Sequence, residues 1–225
     1  MIYLEDRYIP EIDGILRKHM IRVPKEIEKA SGIRIFGKLI KSLVFTTDVA
    51  IIRNCNANAV IAVYPFTPQP IISHAIINCS DVPVFCGVGG GTTTGYRVVN
   101  LAEDAEFQGA VGVVLNSPTP NETIEYLKER LDIPIIITVV SDKTDIAKRL
   151  ESGVSILNVS GASNTANIVR SIREQFPYVP IIATGGPTSE TILEAIEAGA
   201  NAITFTPSSC AEIFKKLMYK YREDI

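Results

Sequence analysis

From residue 43 onward, short apolar runs rich in valine and isoleucine alternate with segments whose apolar residues recur three and four positions apart. The runs fall at 43–47, 60–66, 82–87, 111–116, 133–140, 156–160, 181–185 and 202–206. Each is nearly unbroken in hydrophobicity, as strands covered on both faces are. The segments between them carry helix start signals, among them Asn121-Glu122-Thr123 after Pro120 and Ser189-Glu190-Thr191. Eight strand–helix alternations predict an α/β protein built as a single (β/α)8 barrel.

A second periodicity supports closure. The third, fifth and seventh runs are entered through Asp81-Val82-Pro83, Asp132-Ile133-Pro134 and Tyr178-Val179-Pro180, whereas the even-numbered runs follow small residues such as Gly109-Ala110 and Gly199-Ala200. Proline suits a strand's first residue and glycine a helix end, so the repeat unit is two βα pairs. The competing open sheet of the dinucleotide-binding kind needs a glycine fingerprint after its first strand, and Thr46-Thr47-Asp48-Val49 has no glycine. Residues 1–42 are expected to form an N-terminal helical extension of two helices, broken near Arg22-Val23-Pro24 and Ser31-Gly32, ahead of a barrel spanning 43–225. The stripe Ile9, Ile12, Leu16 and Met20 needs burial, either under the barrel or in a homo-oligomer.

Composition narrows the partners. The 225 residues carry 22 basic and 25 acidic side chains without long blocks of either sign, so no electrostatic footprint for nucleic acid is present. No stretch approaches the roughly 18 unbroken apolar residues of a membrane span, and the first residues lack the order of a signal peptide. Cys55, Cys79, Cys86 and Cys210 have no paired spacing and read as reduced thiols of a cytoplasmic protein.

In a barrel the ligand site is assembled at the carboxyl ends of the strands, which is where candidate residues are sought. Asp48 and Asp142 are the acid–base candidates, and each is equally placed to cap the helix that follows. Thr47, Tyr64, Asn116, Ser160, Gly161 and Thr184 occupy strand exits as ligand contacts. So do Gly89, Gly90 and Gly91 within the glycine-rich loop 87–95, a candidate lid or cradle. Tyr96 and Arg97 follow as a possible ligand clamp. No lysine ends a strand, which disfavours a Schiff base unless Lys143 leans inward. The two histidines, His19 and His74, fall in helical segments, so no metal site is expected.

The stretch Ile181-Ile182-Ala183-Thr184-Gly185-Gly186-Pro187 followed by Glu194-Ala195-Ile196-Glu197-Ala198-Gly199-Ala200-Asn201-Ala202-Ile203 resembles the last two units of the phosphate-binding TIM-barrel superfamily. That superfamily includes thiamine-phosphate synthase, thiazole synthase, isomerases of histidine and tryptophan synthesis, and FMN-dependent barrels. The resemblance implies that Gly185 and Gly186, with Ser208 and Ser209 at the start of the last helix, hold the phosphate of a small molecule. It departs in Thr206-Pro207-Ser208-Ser209, where many members carry glycine. The leading activity is an aldolase, isomerase or synthase acting on a phosphorylated metabolite, with the histidine placement arguing against a metal; FMN-dependent oxidation, ligand sensing without catalysis, and hydrolysis are the alternatives.

Overall fold

The computed structural model describes residues 20–223 together with 10, 12, 14 and 15. Its strands are β1 (Ile33–Ile35), β2 (Lys38–Ile40), β3 (Ser42–Phe45), β4 (Ala59–Ala62), β5 (Val84–Gly89), β6 (Gly112–Leu115), β7 (Ile135–Val139), β8 (Ile156–Val159), β9 (Ile181–Thr184) and β10 (Ala202–Phe205). The α-helices are α1 (Val49–Arg53), α2 (Pro70–Cys79), α3 (Tyr96–Phe107), α4 (Asn121–Lys128), α5 (Ile146–Glu151), α6 (Thr165–Gln175), α7 (Ser189–Glu197) and α8 (Cys210–Glu223).

Strands β3 to β10 pair in parallel and in sequence order, and β10 closes on β3 through Ile203–Ser42, Thr204–Leu43 and Phe205–Val44. This is the (β/α)8 barrel that the apolar runs predict. Because side chains alternate across a strand, the barrel carries two cores. The inner one contains Leu43, Ala59, Ile61, Phe85, Val114, Ile136, Ile156, Ile182 and Ala202. The outer one lies between strands and helices and includes Val44, Val60, Cys86, Val113, Ile137, Leu157 and Ile203. Both faces are buried, which is why each strand reads as an unbroken apolar run.

Over residues 21–42 the segment before the barrel differs from the helical extension expected, whose first helix lies mostly outside the described residues. Lys25–Lys29 is a short 3-10 helix, and β1 and β2 form an antiparallel hairpin over Ile33–Ile40. The hairpin turns at Phe36 and Gly37, both at positive φ (45° and 81°), the geometry that matches the twist of two paired strands. Ile33 and Ile40 belong to the inner core, so the hairpin closes the amino-terminal end of the barrel. Of the stripe expected to be buried, Ile12 is 93% exposed and Met20 half-buried; Ile9 and Leu16, like His19, lie outside the described residues.

The 3-10 helix also changes the outer ring. It packs against α7, with Ile27 buried in the outer core, on the flank where the eighth helix of a barrel would sit. Helix α8 correspondingly buries none of its side chains.

Candidate functional site

The carboxyl ends of the strands form a mouth whose polar character begins inside the barrel. Along β7, β8, β9 and β10 the inward positions pass from Ile136, Ile156, Ile182 and Ala202 to Thr138, Asn158, Thr184 and Thr204, two residues nearer the mouth. Asn158 and Thr204 are 9% and 6% exposed. The Asn158 amide donates to Thr138 Oγ1 across 3.4 Å, while Asn158 Oδ1 and Thr204 Oγ1 have no hydrogen-bond partner. Unpaired polar atoms at such depth each cost roughly 1–3 kcal/mol and call for an explanation.

Across the mouth a cavity of about 210 Å³ is lined by Val63, Tyr64, Phe66, Gly87, Gly89, Gly91, Thr92, Thr93, Val114 and Asn116. Tyr64 accepts the Gln69 N–H at 2.9 Å, which leaves its own hydroxyl hydrogen for another acceptor. The glycine-rich loop is tied to this wall. Gly90 donates to the Thr93 carbonyl, the Asn116 N–H donates to Gly89, and Thr93 is buried. A register shift between Gly87 and Gly89 bends β5 there, so the glycines build the cavity edge.

Arg149, on α5, anchors the next loop by donating to the carbonyls of Thr119 and Ser117 and to Asn121 Oδ1. Partial burial draws its guanidinium below the ordinary range. Thr119 Oγ1 in turn donates to the Asn116 carbonyl, which fixes Asn116 at the cavity rim.

The acid–base candidates stand apart from the cavity. Asp48 caps α1, accepting from the amides of Ala50 and Ile51 at 2.9 and 3.2 Å. The Cys210 thiol donating to this carboxylate is the main reason its acid stays below the usual range; partial burial works the other way, and the two amides add to the lowering. The same contact raises the Cys210 thiol. Asp142 is exposed and borders a groove with Ile168, Ser171 and Gln175 between α5 and α6. It does not open the fifth helix, because Asp145 three residues on caps α5 through the Lys148 N–H.

The segments implied as a phosphate site are brought close but already engaged. The Gly185 N–H donates to the Thr204 carbonyl, and Gly186 sits at φ 71° against Thr191. At the start of α8 the Ser209 N–H and hydroxyl both donate to Glu212 Oε2, at 2.8 and 3.0 Å, and hold that acid below its ordinary range. The chain's own carboxylate therefore occupies the anion-favouring helix start, and Ser208 is exposed beside it.

Ser160 and Gly161 lie half-buried at the β8 exit, where the Gly161 N–H donates to Thr165 Oγ1, and Thr47 lies half-buried after β3. Lys143 is exposed. Tyr96 is 75% exposed and stacks edge-on against Tyr126 at 6.0 Å on the outer surface, with Arg97 exposed beside it, so this pair does not clamp the mouth. Cys86 faces the outer core, where burial pushes its thiol up to about 11. His74 is exposed on α2. Among the described residues no three His, Cys, Asp or Glu side chains converge, and no helix is long and apolar enough to cross a membrane.

No family model matches the chain. It is 28% identical over 144 residues to isopentenyl-diphosphate delta-isomerase of Vibrio campbellii, covering 45% of this chain and 42% of that protein. It is 30% identical over 117 residues to 4-hydroxy-tetrahydrodipicolinate synthase of Methanothrix thermoacetophila, covering 46% and 39%. The chain thus spans about two fifths of the length of these curated relatives. Among solved structures it resembles phosphonopyruvate hydrolase in complex with oxalate and magnesium, with a TM-score of 0.64 at 11% identity over 88% of this chain and 87% of that one. Dihydrodipicolinate synthase DapA-2 of Bacillus anthracis gives a TM-score of 0.55 at 13% identity over 81% and 76%. These likenesses establish the TIM-barrel fold.

Proposed function

We propose that this protein is an enzyme of the aldolase, lyase or isomerase kind that takes a small phosphorylated metabolite into the barrel mouth. One observation carries the reading: Asn158 Oδ1 and Thr204 Oγ1 stand unpaired below the mouth. A bare amide oxygen needs a donor, so the ligand group that satisfies it is a hydroxyl or an N–H. Support comes from relatives and structural neighbours that include a synthase, an isomerase and a hydrolase.

Within this reading Tyr64 donates its hydroxyl hydrogen to an oxygen of the ligand, and Asn116 orients the same end. The loop amides after residue 87 approach it closely because glycine has no side chain in the way. Asp48 is committed to its helix cap and to Cys210, so it orders the mouth rather than moving a proton. A phosphate at Gly185–Gly186 and Ser208–Ser209 has to displace Glu212 from the start of α8. The same competition weighs against the phosphate of FMN at that place. The described donors also do not fit a magnesium site built from carboxylates, since the cavity lining has none. That lining, whose sole ionisable side chain is Tyr64, favours a second reading in which the barrel binds its ligand without transforming it.

Thr204→Val tests the reading. Removing an unpaired buried hydroxyl while keeping the shape is expected to raise the stability of the unliganded protein by up to about 1 kcal/mol. The same change is expected to shrink the thermal stabilisation given by glycerol 3-phosphate. A less stable variant that responds to the probe like the wild type would show that Thr204 serves packing alone.

A further inference from the structure

The cavity wall above β5 has used its acceptors and kept its donors. The Thr93 carbonyl accepts the Gly90 N–H, the Gly89 carbonyl accepts the Asn116 N–H, and the Asn116 carbonyl accepts the amide and hydroxyl of Thr119. The Tyr64 oxygen accepts the Gln69 N–H and keeps its own hydrogen. The amides of Gly91 and Thr92 and the Thr93 hydroxyl meet no acceptor among the described residues. Thr93 is the member that points to a ligand. It lines the cavity, is 5% exposed, and a hydroxyl buried without a partner is costly unless something binds it. Unmatched donors beside satisfied acceptors select a group that brings acceptors only, which is an oxyanion.

The strand registers place this wall relative to the unpaired oxygens deeper in the barrel. In an eight-stranded barrel equal height is reached about one residue further on with each successive strand, so alternate strands share a layer two residues out of register. Val114 pairs with Ile136, and Ile136 with Ile156, which sets Val114 level with Asn158. Asn158 pairs with Ile182, and Ile182 with Ala202, which sets Asn158 level with Thr204. Val114 lines the cavity from the inner core, and above it the inward position of β5 is Gly87, which has no side chain to close the shaft. Asn116, two residues beyond Val114 on a tilted strand, therefore stands roughly 5 Å above the layer of Asn158 and Thr204.

We propose that the ligand's oxyanion is held above β5 by Tyr64, Thr93 and the amides of Gly91 and Thr92, with a hydroxyl two or three carbons away reaching the layer of Asn158 and Thr204. The assignment rests on the reading of the mouth as the site of a phosphorylated metabolite, and it narrows the substrate class to short hydroxylated phosphate monoesters. The cavity of about 210 Å³ agrees, being smaller than the roughly 300–1,000 Å³ of pockets that take drug-sized ligands. The rival place after β9 and β10 is taken by Glu212, which accepts both Ser209 donors.

Titration calorimetry of the full chain with glycerol 3-phosphate and with propyl phosphate, which has the same carbon chain and no hydroxyl, separates the two ends of the ligand. Tyr64→Phe and Thr93→Val are each expected to weaken both compounds about tenfold, whereas Thr204→Val weakens glycerol 3-phosphate alone. Tyr64→Phe, at a half-buried position, carries the test if Thr93→Val melts below the assay temperature. Binding that survives both wall substitutions, or that Ser209→Ala weakens more than they do, overturns the assignment and leaves the metabolite reading standing. Propyl phosphate binding as tightly as glycerol 3-phosphate also overturns it. No binding of either compound overturns the metabolite reading and the assignment together.

Discussion

Replacing Arg173 by leucine is expected to lower unfolding stability by about 4 kcal/mol, the largest loss of any single exchange away from the mouth. The guanidinium donates to the carbonyls of Phe176, Pro177, Val179 and Gly199 and to Asn201 Oδ1. These acceptors belong to the turn from α6 into β9 and the turn from α7 into β10, so one side chain staples two strand entries at the base of the barrel. Partial burial lowers the pKa of the guanidinium from the ordinary arginine value, and the five acceptors offset that desolvation. Each stranded acceptor costs roughly 1–3 kcal/mol, but neighbours in one network do not add, hence the figure of about 4. For a chain of this size that corresponds to a fall in melting temperature of roughly 10 °C. Arg173→Lys recovers less than half, because an ammonium cannot reproduce the planar fork. Urea unfolding of the three proteins checks this; a loss below about 1 kcal/mol for the leucine variant would show that water replaces the staple.

Gly90→Val is expected to remove ligand binding altogether and to cost about 3 kcal/mol of stability. Gly90 is buried at φ 98°, a conformation that L side chains rarely adopt. A Cβ there would overlap Thr119 Oγ1 and come within 2.9 Å of the Asn116 N–H. Thr119 fixes Asn116, so the strain passes into the cavity rim. Gly91→Ala is the control: its added carbon would have only Asn116 Nδ2 nearby, at 3.7 Å, and stability is expected to stay within about 0.5 kcal/mol. Equal losses in both variants would point to a general intolerance of the loop rather than to the Thr119–Asn116 contact.

The barrel was legible because burial on both faces leaves a strong linear trace, and all eight barrel strands overlap the apolar runs. The hairpin was not. Its signal is present as Ile33, Ile35 and Ile40 spaced around Phe36-Gly37, but phenylalanine at positive φ is uncommon and masks a two-residue turn. Residue-level placement at the mouth was less legible still. Tyr64, Gly89, Gly91 and Asn116 come together at one cavity, while Asp142 does not join them because the fifth helix begins three residues later than its first capping residue suggests. Asn158 and Thr204 escaped notice as polar residues inside apolar strands. Strand parity could have found them, since each stands two positions beyond an inner-core residue. Glu212 could not be foreseen as the occupant of the last helix start, because that depends on which amides the side chain reaches after folding.

The claim that a small phosphorylated, hydroxyl-bearing molecule binds in the barrel mouth is tested most directly by titration calorimetry of the full chain. The panel is inorganic phosphate, glycerol 3-phosphate, dihydroxyacetone phosphate and FMN. Saturable binding of at least one hydroxyl-bearing phosphate is predicted, abolished by Gly90→Val and weakened about tenfold by Thr204→Val, the roughly 1.4 kcal/mol expected of one hydrogen bond in a buried site. No heat with any member of the panel, or binding that neither substitution alters, would contradict it.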